Sequence, residues 1–80
     1  MQFLIVRAKK AGSDELVNIP LPVILDGEEN GETGNLIKLG RGTVDISVKH
    51  MRSEIRAIKI ENTTQDKPMV VIIEVGEEDI

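Results

Sequence analysis

Eighty residues, 40% hydrophobic and 30% charged, with no cysteine, tryptophan or tyrosine and one phenylalanine, exclude a disulfide framework, a thiolate metal site and a core built on large rings. Ten Lys and Arg against fourteen Asp and Glu leave a formal net charge of −4. The chain is too apolar for a disordered segment and too interrupted for a membrane span, and its length suits one domain, over 1–80, around one aliphatic core.

Taken in chain order, the N-terminus MQFLIVRAKK carries a four-residue apolar run, Phe3 to Val6, with basic residues after it. A signal peptide has the reverse order and about 7–15 apolar residues. A cytoplasmic location is therefore expected, or an extracytoplasmic one if the sequence is excised from a longer precursor. A strand is predicted near 2–8 and another near 16–26. In the second, Val17, Ile19, Leu21, Val23 and Leu25 alternate with Asn18, Pro20, Pro22, Ile24 and Asp26. Proline cannot donate to a ladder, so this is an edge strand or one broken at Ile19–Pro22.

Turn signals follow at Asp26-Gly27, Asn30-Gly31 and Gly34-Asn35, then a strand near 35–39 and a turn at Gly40-Arg41-Gly42. The clearest strand is predicted at 43–50, with Val44, Ile46 and Val48 on one face and Asp45, Ser47 and Lys49 on the other. Val48, Met51, Ile55 and Ile58 also fit helical spacing, with Ser53 and Glu54 near the start. The β-branched Ile55, Ile58 and Ile60 favour a strand near 54–61 instead. After the polar loop Asn62–Pro68, a strand near 68–75 places Met69, Val71, Ile73 and Val75 on one face and apolar Val70 and Ile72 on the other. Such a two-sided strand suits a central position. At an edge, with Glu74 its only internal charge, it could pair with a second chain or an extended peptide. Six or seven strands with frequent turns predict an all-β fold, a small antiparallel β-sandwich of immunoglobulin- or prealbumin-like architecture.

The segment Val23–Val48 resembles a PEGA-type β-sandwich module on Val23, Leu25, Asp26, Gly27, Gly31, Leu39, Gly42, Thr43, Val44, Ile46 and Val48. The chain departs from that pattern at Asn30, where an aliphatic residue is expected, at Gly34, where a proline is expected, and at Val44, where an aromatic often stands. The resemblance implies a sandwich and a non-catalytic adhesion, scaffolding or accessory role, often outside the cytoplasm.

Few residues offer chemistry. His50 is the only histidine, too few for a His-pair metal site or, with Ser47 or Ser53, for a familiar triad unless distant carboxylates converge. Asp26, Glu28, Glu29 and Glu32 crowd one hairpin, but the ordered spacing of a calcium loop is missing and a solvated turn is the better account. Gly40-Arg41-Gly42 lacks the spacing of a phosphate loop. No cofactor and no metal are expected. Lys38, Arg41, Lys49, Arg52, Arg56 and Lys59 form a basic stretch, while the tail after Glu74 adds Glu77, Glu78 and Asp79. The reading is a non-enzymatic protein-interaction or scaffolding module that binds an unknown protein or self-associates through a strand edge. Its candidate binding residues are Lys49, Arg52, Arg56, Lys59, Asp26 and Glu28. The alternative is a nucleic-acid-associated regulator using the stripe 49–59, disfavoured by the acidic whole and the lack of aromatic platforms.

Overall fold

The structure, a computed structural model, describes residues 1–50 and 52–76. The chain forms seven strands: β1 (Gln2–Lys10), β2 (Pro22–Leu25), β3 (Glu28–Glu32), β4 (Leu36–Leu39), β5 (Gly42–Val48), β6 (Arg56–Ile60) and β7 (Met69–Val75). They make two sheets. Sheet A has the order β4-β1-β7, and sheet B the order β3-β2-β5-β6. The expected small all-β sandwich is what the chain adopts. Pairing within it is antiparallel except between β1 and β7, which run parallel from Leu4↔Met69 to Lys10↔Val75.

The core follows from alternation. A pleated strand sends successive side chains to opposite faces, so one branched aliphatic at every second position covers one face. Leu4, Val6 and Ala8 of β1, Val23 and Leu25 of β2, and Ile37 of β4 are buried. Val44, Ile46 and Val48 of β5, Ile60 of β6, and Val71, Ile73 and Val75 of β7 meet them from the neighbouring strands. No polar or charged side chain among the described residues is buried with this cluster, so aliphatic burial carries the stability. Where strand pairing stops, threonines continue it. Thr33 exchanges bonds with Leu21, donating its N–H to the Leu21 carbonyl and accepting the Leu21 N–H on Oγ1. Thr63 accepts the Phe3 N–H on Oγ1 at 2.7 Å.

Several expectations are corrected. The strand predicted over 16–26 is only Pro22–Leu25. The prolines break the run, leaving Val17 buried but Ile19 60% exposed. Residues 15–17 lie along β1 instead, with the Val17 N–H donating to Ala8 and Leu16 bridged to Lys9. The polar stretch Glu28–Glu32, read as loop, is an exposed edge strand, β3. Within it Asn30-Gly31 is not a turn. The register with β2 slips between Pro22 and Ile24, and Gly31 takes a φ of 77° in the resulting bulge. Asp26-Gly27 does form the expected tight turn, with φ of 50° and 86°. β7 is not central but lies at the edge of sheet A. The 54–61 segment is strand at Arg56–Ile60, not helix. Met51, part of the competing helical spacing, and the acidic residues Glu77, Glu78 and Asp79 lie outside the described residues.

Candidate functional site

Two exposed features meet on sheet A: the free edge of β7 and the outer face beside it. Along β7, alternate residues direct their backbone groups to opposite edges. The set facing away from β1 is fixed by its partners at the C-terminal end of the strand. The Glu74 carbonyl accepts the Glu54 N–H at 2.9 Å, and the Gly76 N–H donates to the Arg52 carbonyl. Glu74 N–H donates to the Glu54 carboxylate, and Arg56 Nη1 donates to the Ile72 carbonyl at 3.1 Å. By the same alternation Val70 and the Ile72 N–H point outward. Among the described residues no strand pairs with them and no hydrogen bond reaches them, the nearest edge contact being Arg56 at the Ile72 carbonyl.

The outer face of sheet A is built from the residues that the core does not use. The register places Leu36, Ile5 and Val70 in one row across β4, β1 and β7. One row away stand Phe3 and Lys38, and on the other side Arg7 and Ile72, followed by Lys9 and Glu74. Leu36, Val70 and Ile72 are 38%, 58% and 42% exposed. The Lys9 ammonium lies 3.7 Å from the Glu74 carboxylate. Arg7 and Lys38 have no ion pair or side-chain hydrogen bond among the described residues. Single exposed aliphatics are ordinary on any surface; here Leu36, Ile5 and Val70 are neighbours across three strands.

At its lower end the face becomes a shallow groove of about 570 Å³. Leu16 and Ile72 supply its apolar lining, Lys9 and Arg56 its cations, and Asp14, Glu54 and Glu74 its carboxylates. A smaller cavity of about 160 Å³ sits where Arg7 meets the 17–20 segment and Thr33-Gly34. Nearby, the Lys10 ammonium 2.6 Å from Glu15 holds the Glu15 carboxyl below its ordinary value, by hydrogen bonding and by charge.

The candidate residues named from sequence do not form one site. Lys59 projects from the outer face of sheet B, opposite Thr43, and pairs with Glu61 at 3.8 Å. Lys49 pairs with Glu29 at 3.3 Å. Arg56 reaches the opposite sheet at Ile72, and Arg52 holds Gly76 through its carbonyl while its N–H donates to His50 Nδ1. The basic stretch is thus divided between the two layers, and most of its cations are engaged. Asp26 uses Oδ1 to accept the Asp45 N–H at 2.9 Å, a turn-locking bond, and Glu28 stands exposed on β3. His50 sits just past β5 with Nε2 buried and unpartnered. Ser53 Oγ accepts the Val48 N–H and donates to the Glu54 carbonyl, so it is occupied in the backbone scaffold. Among the described residues no three His, Asp or Glu side chains gather as metal ligands would.

Arg56 alone of the named residues lines the groove on sheet A. The apolar band was missed. Its signal was the two-sided apolar pattern of Phe3–Val6 and Met69–Val75, which reads equally as a buried central strand. No protein-family model matches the chain, and neither a curated protein nor a solved structure matches it significantly.

Proposed function

We propose that this chain is a non-enzymatic protein-interaction module, of scaffolding or accessory type, that receives an extended segment of a partner along the uncovered half of β7. The observation that carries this reading is the place of Val70, an exposed residue on the edge strand of sheet A whose backbone groups, by the alternation along β7, face away from β1. An unpaired strand edge is a template for another strand, and the free N–H and C=O groups supply the affinity. The chain's own Arg52–Glu54 segment, bridged antiparallel to β7 at Ser53↔Val75, already uses the other half of this edge in the same manner. The edge has no proline and no inward charge at Val70–Ile72, the usual devices that block strand addition.

Kinship with PEGA-type modules is part of the same proposal. Its support is that the resembling segment runs from β2 to β5, with Asp26-Gly27 at the β2–β3 turn and Gly42-Thr43 opening β5. Phosphate recognition by Lys49, Arg52, Arg56 and Lys59 is the weaker reading, since these cations sit on different layers and the chain is net acidic.

The test is selection of peptides from a displayed random library, followed by binding to Val70→Pro. Proline at that position removes an N–H that the β1–β7 ladder does not use, and circular dichroism checks that the variant keeps the fold before binding is read. Selected peptides with alternating side-chain requirements, lost in Val70→Pro, support strand addition. Failure to select any peptide, or peptides indifferent to Val70→Pro, overturns it.

A further inference from the structure

The outer face of sheet A carries a chemical specification for the partner that the strand edge alone does not. The apolar row Leu36–Ile5–Val70 lies between Lys38 on one side and Arg7 on the other, each one row of the register away, or about 7 Å along the strands. Neither cation has an acidic partner among the described residues, whereas Lys9, one row further, is matched by Glu74. The carboxylates of this face, Glu74 with Asp14 and Glu54, gather at its lower end beside Lys9 and Arg56, so the rows around Leu36, Ile5 and Val70 hold the cations Lys38 and Arg7 with no carboxylate between them.

We propose that this face docks an acidic protein segment whose apolar side chains cover Leu36, Ile5 and Val70 and whose flanking carboxylates pair with Lys38 and Arg7. The inference rests on the protein-binding reading and adds the partner's chemistry to it. Charge and the open strand edge select this occupant over two others. A second copy docked face to face about the apolar row would bring the unmatched Lys38 and Arg7 of one protomer toward those of its partner, and like charges across an interface oppose association. An anionic bilayer would meet the same two cations but would leave the backbone groups of Val70, contiguous with the band, unused. A polypeptide satisfies the apolar row, the two unmatched cations and the adjoining strand edge together.

The probe is a synthetic peptide with a Val-Ile-Val centre and two glutamates on either side, titrated into the whole chain and followed by amide and methyl NMR. A counterpart with lysines replacing the glutamates serves as control. Expected are shifts at Ile5, Leu36 and Val70, affinity falling with salt, and about tenfold weaker binding by the double variant Arg7→Glu with Lys38→Glu, since each exposed pair contributes modestly. Lys38 is exposed and Arg7 half-buried beside the 17–20 segment, so circular dichroism first checks that the double variant keeps the fold, and binding of the lysine peptide by it would complete the charge swap. Equal binding of the acidic and basic peptides, with no effect of the double variant but loss in Val70→Pro, overturns the face while leaving the edge reading intact. No binding of either peptide, combined with failure of library selection, removes both. Co-flotation with phosphatidylserine vesicles, or a wild-type dimer with Leu36 and Ile5 in its interface, assigns the band to another occupant and overturns the proposal.

Discussion

Glu54 and Glu74 hold each other through reciprocal bonds: the Glu74 N–H donates to the Glu54 carboxylate, and the Glu54 N–H donates to the Glu74 carbonyl. One residue thereby serves as a half-strand beside β7 and as a side-chain cap on its edge. Glu54→Ala removes the cap and keeps the backbone bond. The expected cost is about 1 kcal/mol, the worth of one solvent-exposed charged hydrogen bond. Amide exchange should accelerate at Glu74 while Val71 and Ile73, which face β1, keep their protection. Acceleration across all of β7 would mean that the strand, not its cap, depends on Glu54.

Arg56 closes the edge one step further along, at the Ile72 carbonyl. Because Arg56 is exposed, Arg56→Met should leave stability within about 0.5 kcal/mol of wild type. It should nevertheless lengthen the open edge and strip its nearest positive charge, two changes that favour strand-to-strand association. Sedimentation at rising protein concentration checks this: the variant should self-associate at concentrations where the wild type does not.

Asp26 combines a left-handed backbone with an acceptor, so a graded series separates the two. Asp26→Ala loses the Oδ1 bond to the Asp45 N–H and strains a φ of 50°, for a combined cost of about 2 kcal/mol. Asp26→Gly loses only the bond, about 1 kcal/mol, and Asp26→Asn keeps both. Denaturant midpoints should fall in the order Asn, Gly, Ala. That ordering assigns Asp26 to the turn and not to a ligand.

What sequence could and could not announce follows from burial. Val44–Val48 was legible because one face is in the core and the other in water. Glu28–Glu32 was not, because an edge strand exposed along its whole length has no apolar alternation to display. β7 was legible as a strand but misplaced, since Val70 and Ile72 are apolar without being buried. The band on sheet A needs two registers at once, Ile5↔Leu36 and Ile5↔Val70, and one of them is the parallel pairing of the two terminal strands. Local pattern carries no information about that pairing. The basic stretch 49–59 failed as a site for the converse reason, because neighbours in sequence were sent to different layers.

Glu15 gives the pH dependence. Its carboxyl titrates below the ordinary glutamate value because Lys10 bonds and attracts the charged form. A depressed folded-state value means that the contribution to stability is complete above the unfolded glutamate range and is lost as pH falls through the folded value. Carboxyl carbon shifts should place the Glu15 midpoint below that of exposed glutamates, and Lys10→Met should raise it. An unchanged midpoint in Lys10→Met would assign the depression to another neighbour.

Gly31 couples the edge of sheet B to sheet A. A Cβ built there would lie 2.9 Å from Ile37 Cγ1 of β4, and its φ of 77° is one that side chains avoid. Gly27 has a comparable φ of 86° with open space around it. Gly27→Ala should therefore cost only the backbone strain, about 1–2 kcal/mol, and Gly31→Ala more, because overpacking adds a further 1–3 kcal/mol. Ile37→Ala removes both atoms that the new methyl would strike, at its own cost of about 2–5 kcal/mol for an emptied core site. The double variant Gly31→Ala with Ile37→Ala should then be more stable than the sum of the single changes implies, by at least 0.5 kcal/mol in a denaturation cycle. Strict additivity would show that the bulge relaxes away from Ile37 without reporting to the other sheet.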